Sequence, residues 1–138
     1  MSDEATVLGE LLAAEHAAVF GYGVLGAHLA DKQQVLALSA YDAHRVLRDS
    51  LLARLAARDL PTPPPALAYA LPAGTAVQQA VVLEDGLCVL WRDLVSATDS
   101  TDLRGLAVRA LSDAAVRAVR WRQAAKQRPA TVPFPGQA

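Results

Sequence analysis

Between Leu60 and Gly74 the chain reads LPTPPPALAYALPAG. Proline lacks a backbone N–H and its ring clashes with the preceding helical turn, so no helix can run through this segment. It divides the 138 residues into two halves, each with helical spacing of apolar residues. A short break near Asp31 splits the first half and a turn over Thr98 to Asp102 splits the second, and connections this short join antiparallel neighbours. Helices are therefore expected over about 3–29, 32–58, 75–97 and 101–126, with a connection over about 60–74 and a non-helical tail from about 128 to the end. Some 14 extended residues at about 3.3 Å each reach about 46 Å, whereas a helix of about 27 residues is about 40 Å long. The connection can thus cross a whole bundle. Two hairpins joined by one long crossover is the connectivity of ferritin-like four-helix bundles. An up-down-up-down bundle with a slack middle connection is the alternative.

Composition supports an all-α fold in one domain spanning 1–138. Hydrophobic residues make up 53% of the chain but aromatics only 5%, so the apolar content is mostly Ala, Leu and Val, which suit closely approaching helices. Ser2 is expected to cap the first helix, with Asp3 and Glu4 favourably placed against its dipole. Gly21, Gly23 and Gly26 each lower helicity by roughly 1 kcal/mol relative to Ala, which points to close helix contact or a local bend. Val132 and Phe134 are expected to pin the tail beside Tyr69 and Leu71.

A formal charge of −1 and a pI near 6.3 give no global reason to expect nucleic acid or an anionic membrane as partner. Arg104, Arg109, Arg117, Arg120, Arg122 and Lys126 of the fourth helix spread around its circumference and form no basic stripe. The opening MSDEA is acidic and lacks a signal-peptide n-region, and the apolar stretch from Ala5 to Ala30 is broken by Glu10, Glu15, His16 and His28. A cytoplasmic protein that does not span a membrane is expected. Cys88, the single cysteine, reads as a small buried hydrophobe in a reducing compartment.

The chemistry lies in carboxylates placed where apolar residues belong. Leu8, Glu15, Tyr22 and Leu29 are spaced by sevens, as are Val77, Glu84 and Trp91, which turns Glu15 and Glu84 toward the core. Asp42 follows Glu15 by 27 residues and Asp113 follows Glu84 by 29, so each hairpin offers a Glu on its first helix and an Asp on its second. Ionised carboxylates converging in a core need cations or protons among them.

The runs LLAAEHAAVFGYGVLGAHL, AYDAHRVLRD, AYALP, VVLEDG, WRDLV, SDAAVRAVRWR and VPFPG cover nearly the whole chain. As an ensemble they resemble the actinobacterial ferritin-like domain proteins of unknown function. The resemblance implies a ferritin-like bundle and brings no established activity. In metal-binding members of that superfamily, a Glu on one helix and Glu-x-x-His on its partner are used twice to hold two metals. Glu15 and Glu84 match the lone glutamates. The Glu-x-x-His positions hold Asp42 with Arg45 and Asp113 with Val116, so both expected histidines are missing.

Arg45 and Arg117 can neutralise carboxylates in place of a metal. The expected site is therefore a buried polar network of Glu15, Asp42, Arg45, Glu84, Asp113 and Arg117, with no cofactor and no catalytic residue. If metal is bound, Fe or Mn on Glu15, Asp42, Glu84 and Asp113 is the alternative, with His16 or His44 as weaker candidates. His16 stands about 100° from Glu15 around its helix and His44 about 200° from Asp42, so capping or hydrogen bonding to a neighbouring helix is expected of both. Tyr22 and Tyr41 are candidate donors to the acids, and Trp91 and Trp121 candidate core residues. The functional expectation is a noncatalytic domain acting through contacts with a protein partner or with itself as a homodimer. The alternatives are iron oxidation or oxygen-dependent chemistry at two metals, and a small-ligand cavity between helices.

Overall fold

A computed structural model describes residues 3–137. Four α-helices follow in order, α1 Glu4–Gly26, α2 Asp31–Ala57, α3 Ala76–Ala97 and α4 Thr101–Ala124, with no strand among the described residues. The proposed Ser2 cap lies outside the described residues. Asp3 caps α1, its Oδ1 accepting from the Thr6 N–H at 2.7 Å. Thr75 and Gln78 form a reciprocal capping box at the start of α3, and Ser100 accepts from the Leu103 N–H to start α4. Such caps satisfy first-turn N–H groups that have no partner within the helix. Helix α1 stops at Gly26, short of the expected Leu29, with the Ala27 N–H turning back to the Val24 carbonyl, and α2 starts at Asp31, whose φ is 53°.

Two apolar clusters fix the direction of every helix. In one, Leu8 and Leu12 near the start of α1 meet Leu51 and Leu55 near the end of α2, Trp91 and Leu94 late in α3, and Leu103 and Ala107 early in α4. In the other, Tyr22 and Leu25 late in α1 meet Ala37 and Ala40 early in α2, Ala80 and Val81 early in α3, and Trp121 late in α4. Helices α1 and α4 therefore run one way, α2 and α3 the other. The proline-rich connection consequently traverses the length of the bundle, and the up-down-up-down alternative is excluded. Each fully buried Leu or aromatic in these clusters contributes roughly 1.5–3 kcal/mol over exposure.

Helix α1 packs on α2 and α3, and α3 packs on α4. At Gly21 an added Cβ would stand 2.9 Å from Leu83 Cδ1 and 3.3 Å from Leu71 Cδ2, so glycine there admits α3 and the crossover close to α1. The fourth side of the bundle is looser. An Arg54–Asp102 contact of 2.5 Å joins α2 to α4 near one end. Further along, a groove of about 310 Å³ separates them, bordered by Leu47, Leu106, Asp113 and Arg117.

The tail departs from expectation. Tyr69 packs against Phe20, with ring centroids 5.7 Å apart, while Phe134 is 70% exposed. The tail lies instead along α3 and α4. At Gly136, with φ 86°, an added Cβ would be 2.6 Å from the Cys88 carbonyl oxygen, and Arg122 pairs with Asp85 and donates to the Ala130 carbonyl. Among the described residues no helix is long and apolar enough to cross a membrane.

Candidate functional site

Between the two apolar clusters, all four helices send a polar side chain to one place. Glu15 of α1, His44 of α2 and Glu84 of α3 are fully buried, and Arg117 of α4 is 13% exposed. His44 is the centre. Its Nδ1 lies 2.7 Å from Glu15 Oε2 and its Nε2 lies 2.9 Å from Glu84 Oε2. Both ring nitrogens thus face carboxylate oxygens, an arrangement in which each N–H donates only if the ring is protonated. The Arg117 Nε–H donates to Glu84 Oε1 at 3.0 Å. The Tyr22 hydroxyl donates to Glu84 Oε2 at 2.5 Å and accepts from Trp121 Nε1 at 3.0 Å. Tyr22 also stacks on His44, with centroids 5.5 Å apart and planes at 13°.

The electrostatics follow from these contacts. Burial by itself favours the neutral imidazole, but Glu15 and Glu84 on its two edges outweigh that effect and raise the His44 pKa to about 9. His44 is an imidazolium at neutral pH. Burial likewise opposes ionisation of Glu84, and His44, Arg117 and the Tyr22 hydroxyl hold its carboxyl below the usual value. Burial and the Glu84 charge push the Tyr22 phenol well above its ordinary value, so it serves as a neutral donor. For Arg117, burial opposes the charge, and Glu84 more than restores it. Two carboxylates face two cations in a dry core, where leaving either kind unmatched costs several kcal/mol. Glu15 Oε1 and Arg117 Nη2 are buried without a hydrogen-bond partner.

The structure brings together Glu15, Glu84 and Arg117 of the six network residues proposed from sequence, and separates the other three. Asp42 and Arg45 lie on the surface, 63% and 51% exposed, with Arg45 Nη1 3.9 Å from Asp42 Oδ1. The Arg45 guanidinium covers the Tyr41 ring at 5.5 Å, and the phenol that reaches the buried acids is Tyr22. Asp113 is exposed at the rim of the α2–α4 groove. The reason is helix phase. The inner face of α2 is Ala37, Ala40, His44, Leu51 and Leu55, which leaves Asp42 about 200° away. Asp113 is one residue, about 100°, from the buried Ala114.

His44 was available to the spacing rule that found Glu15, since it stands seven residues after Ala37 and seven before Leu51, both buried. The expected hydrogen bonding of His44 to neighbouring helices is observed, but its place at the centre of the network was not legible, because Leu36, Ala43 and Leu47, each partly buried, spread the apolar residues of α2 beyond that face. The other candidates take no part in the cluster. His16 is buried with Nε2 unpartnered, and burial and then Arg48 lower its pKa, so it is neutral at pH 7. His28 is exposed. Burial, then Asp85 and Glu84, push the Cys88 thiol up to about 12, which removes it as a nucleophile.

These residues do not fit a pair of metals. Glu15 and Glu84 sit on opposite edges of one imidazole, so an ion on either nitrogen of His44 would reach only one of them. The Asp42 and Asp113 carboxylates that would complete the ligand set are at the surface. Among the described residues no group of three His, Cys, Asp or Glu side chains is arranged to hold a metal ion.

The class of protein defined here is a four-helix bundle with a single full-length crossover and a buried, internally neutralised polar cluster. Residues 7–138 match a family described as a domain of unknown function, DUF4439, and the chain belongs to that family. A solved structure, that of a conserved hypothetical protein, rv2844, from Mycobacterium tuberculosis, is 33% identical, with a TM-score of 0.83 over 96% of each chain. No curated protein matches the chain.

Proposed function

We propose that this domain is a ferritin-like bundle of actinobacterial type whose two-metal centre has been replaced by internal cations, and that it works in the cytoplasm as a noncatalytic module acting through protein contacts. The observation that carries this reading is the position of His44. A protonated ring between Glu15 and Glu84 supplies the positive charge that metals supply elsewhere in the superfamily, and supplies it from the chain itself. With Arg117 on the other oxygen of Glu84, the core is neutral without an ion. Nothing in this cluster offers a reactive group to a substrate, because Tyr22 is a neutral donor and every cation is paired.

Supporting a role for the outer surface, Val35, Leu38 and Val46 of α2 are 69%, 60% and 68% exposed, and Leu67 of the crossover is fully exposed. A small-ligand reading has the α2–α4 groove in its favour, which at about 310 Å³ is at the lower end for ligand pockets.

The test is elemental analysis of protein purified without tag or chelator, with thermal melts in added ferrous, manganous and zinc ions. The expected outcome is sub-stoichiometric metal and an unchanged melting temperature. Near-stoichiometric iron or manganese, with a melting rise abolished by Glu15→Gln with Glu84→Gln, would replace this reading with a metal-dependent one.

A further inference from the structure

The outward face of α2 carries a pattern that the core does not require. Lys32, Val35, Ser39, Asp42, Val46 and Asp49 are spaced 3, 4, 3, 4 and 3 residues apart, the spacing of a coiled-coil seam. All six are exposed, with Val35 at 69%, Asp42 at 63%, Val46 at 68% and Asp49 at 65%. At about 100° per residue the stripe lies opposite the face of Ala37, His44 and Leu51 that enters the bundle. The crossover does not cover it, since Tyr69 and Leu71 pack over Phe20 and Gly21 of α1 and Leu67 is fully exposed.

Single exposed valines are ordinary on protein surfaces. What is not ordinary here is the symmetry of the order. The stripe reads Lys, Val, Ser, Asp, Val, Asp, and an antiparallel copy of the same helix, with the two-fold axis between Ser39 and Asp42, pairs its first position with its last and its second with its fifth. Lys32 then faces Asp49 of the second copy, Val35 faces Val46, and Ser39 faces Asp42. Each layer occurs twice because a two-fold interface repeats every contact. An antiparallel seam pairs the first core position of one heptad with the second of the other, and this register does so throughout. Leu38, on the flank of the stripe, falls beside Arg45 of the second copy, whose carbon stem can cover it.

We propose that the chain pairs with a second copy of itself along this stripe, in this register. The inference rests on the reading of the bundle as a contact module and names the partner. Charge complementarity selects the occupant. Sliding the copies by one heptad separates the valines, setting Val35 against Ser39 in one direction and Asp42 against Val46 in the other, and a parallel pairing puts like residues together in every layer. Only the antiparallel register described here places each lysine against an acid and each valine against a valine.

Sedimentation equilibrium of the full chain tests this. The native protein should shift with concentration from 14.5 kDa toward twice that mass. Lys32→Asp and Asp49→Lys should each hold it at the monomer mass over the same range, and the double variant, which restores opposite charges, should recover the dimer. Val35→Lys should also abolish it. All three positions are exposed, so folding is not at stake, and circular dichroism checks this directly. A native protein that stays monomeric, a dimer that neither charge variant disturbs, or a double variant that fails to recover it would overturn the proposal. Those outcomes leave the metal analysis untouched, so self-association can fail while the metal-free reading stands, and the reverse.

Discussion

Each hairpin sends a glutamate from its first helix and a cation from its second into the middle of the bundle, and the two cations differ in kind. In the first hairpin the cation is His44, sealed from solvent and bonded at both nitrogens, to Glu15 and to Glu84. In the second it is Arg117, which touches solvent, bonds Glu84 with one N–H and cannot lose its charge at any ordinary pH. The titratable cation is therefore the one that joins the hairpins, and the permanent one reinforces a single carboxylate. A bundle whose buried ion pairs meet through an imidazolium has one of its inter-hairpin links tied to pH, while the Arg117–Glu84 pair is not.

The largest effect should come from removing the shared cation. His44→Ala leaves Glu15 and Glu84 facing each other across a cavity and should cost about 3–5 kcal/mol in urea unfolding at pH 7. Arg117→Ala should cost less, about 1–3 kcal/mol, because His44 and Tyr22 still serve Glu84 and water can reach the gap. Equal losses would show that the two cations are equivalent and would break the comparison.

The second test is pH. A group whose pKa is raised by folding stabilises fully below its unfolded value and loses that contribution as pH rises through its folded value. For His44 the window runs from 6.5 to about 9. At about 1.4 kcal/mol per pH unit, the native protein should lose up to about 3 kcal/mol across it, and the Arg117→Ala variant should lose a similar amount. The His44→Ala variant should show no such decline, and a decline that persists in it would assign the titration elsewhere. Glu84, held below its usual value, acts in the opposite sense and gives up its contribution only as pH falls into the acid range.

The smallest effect sharpens the contrast between core and surface. Arg45→Ala removes an exposed cation 3.9 Å from an exposed acid and should change stability by less than about 0.5 kcal/mol. A loss of several kcal/mol would place Arg45 among the buried charges.

Much of the fold was legible because it depends on local rules. The prolines after Leu60 forbid helix, the short breaks at Asp31 and at Thr98 to Ser100 force hairpins, and the reach of the crossover permits the full-length connection that the two clusters then show. Glu15 and Glu84 were legible for the same reason, since each interrupts an apolar heptad. Asp42 and Asp113 misled because the spacing repeated in the two hairpins says nothing of the helix phase that turns both residues outward. The bonding of His44 to neighbouring helices was expected, but its central place was not legible, because the apolar residues of α2 span more than one face, and Val35, Leu38 and Val46 on its outer side blur the boundary of the inner one.

By itself the sequence determined where backbone can and cannot be helical, how long the connections are and which carboxylates lie on apolar stripes, because steric limits and side-chain periodicity act within a few turns. Only the tertiary structure decided which cation neutralises those carboxylates. That choice depends on the rotation of each helix about its own axis, and a 100° error, one residue along the chain, exchanges a buried His44 for an exposed Arg45.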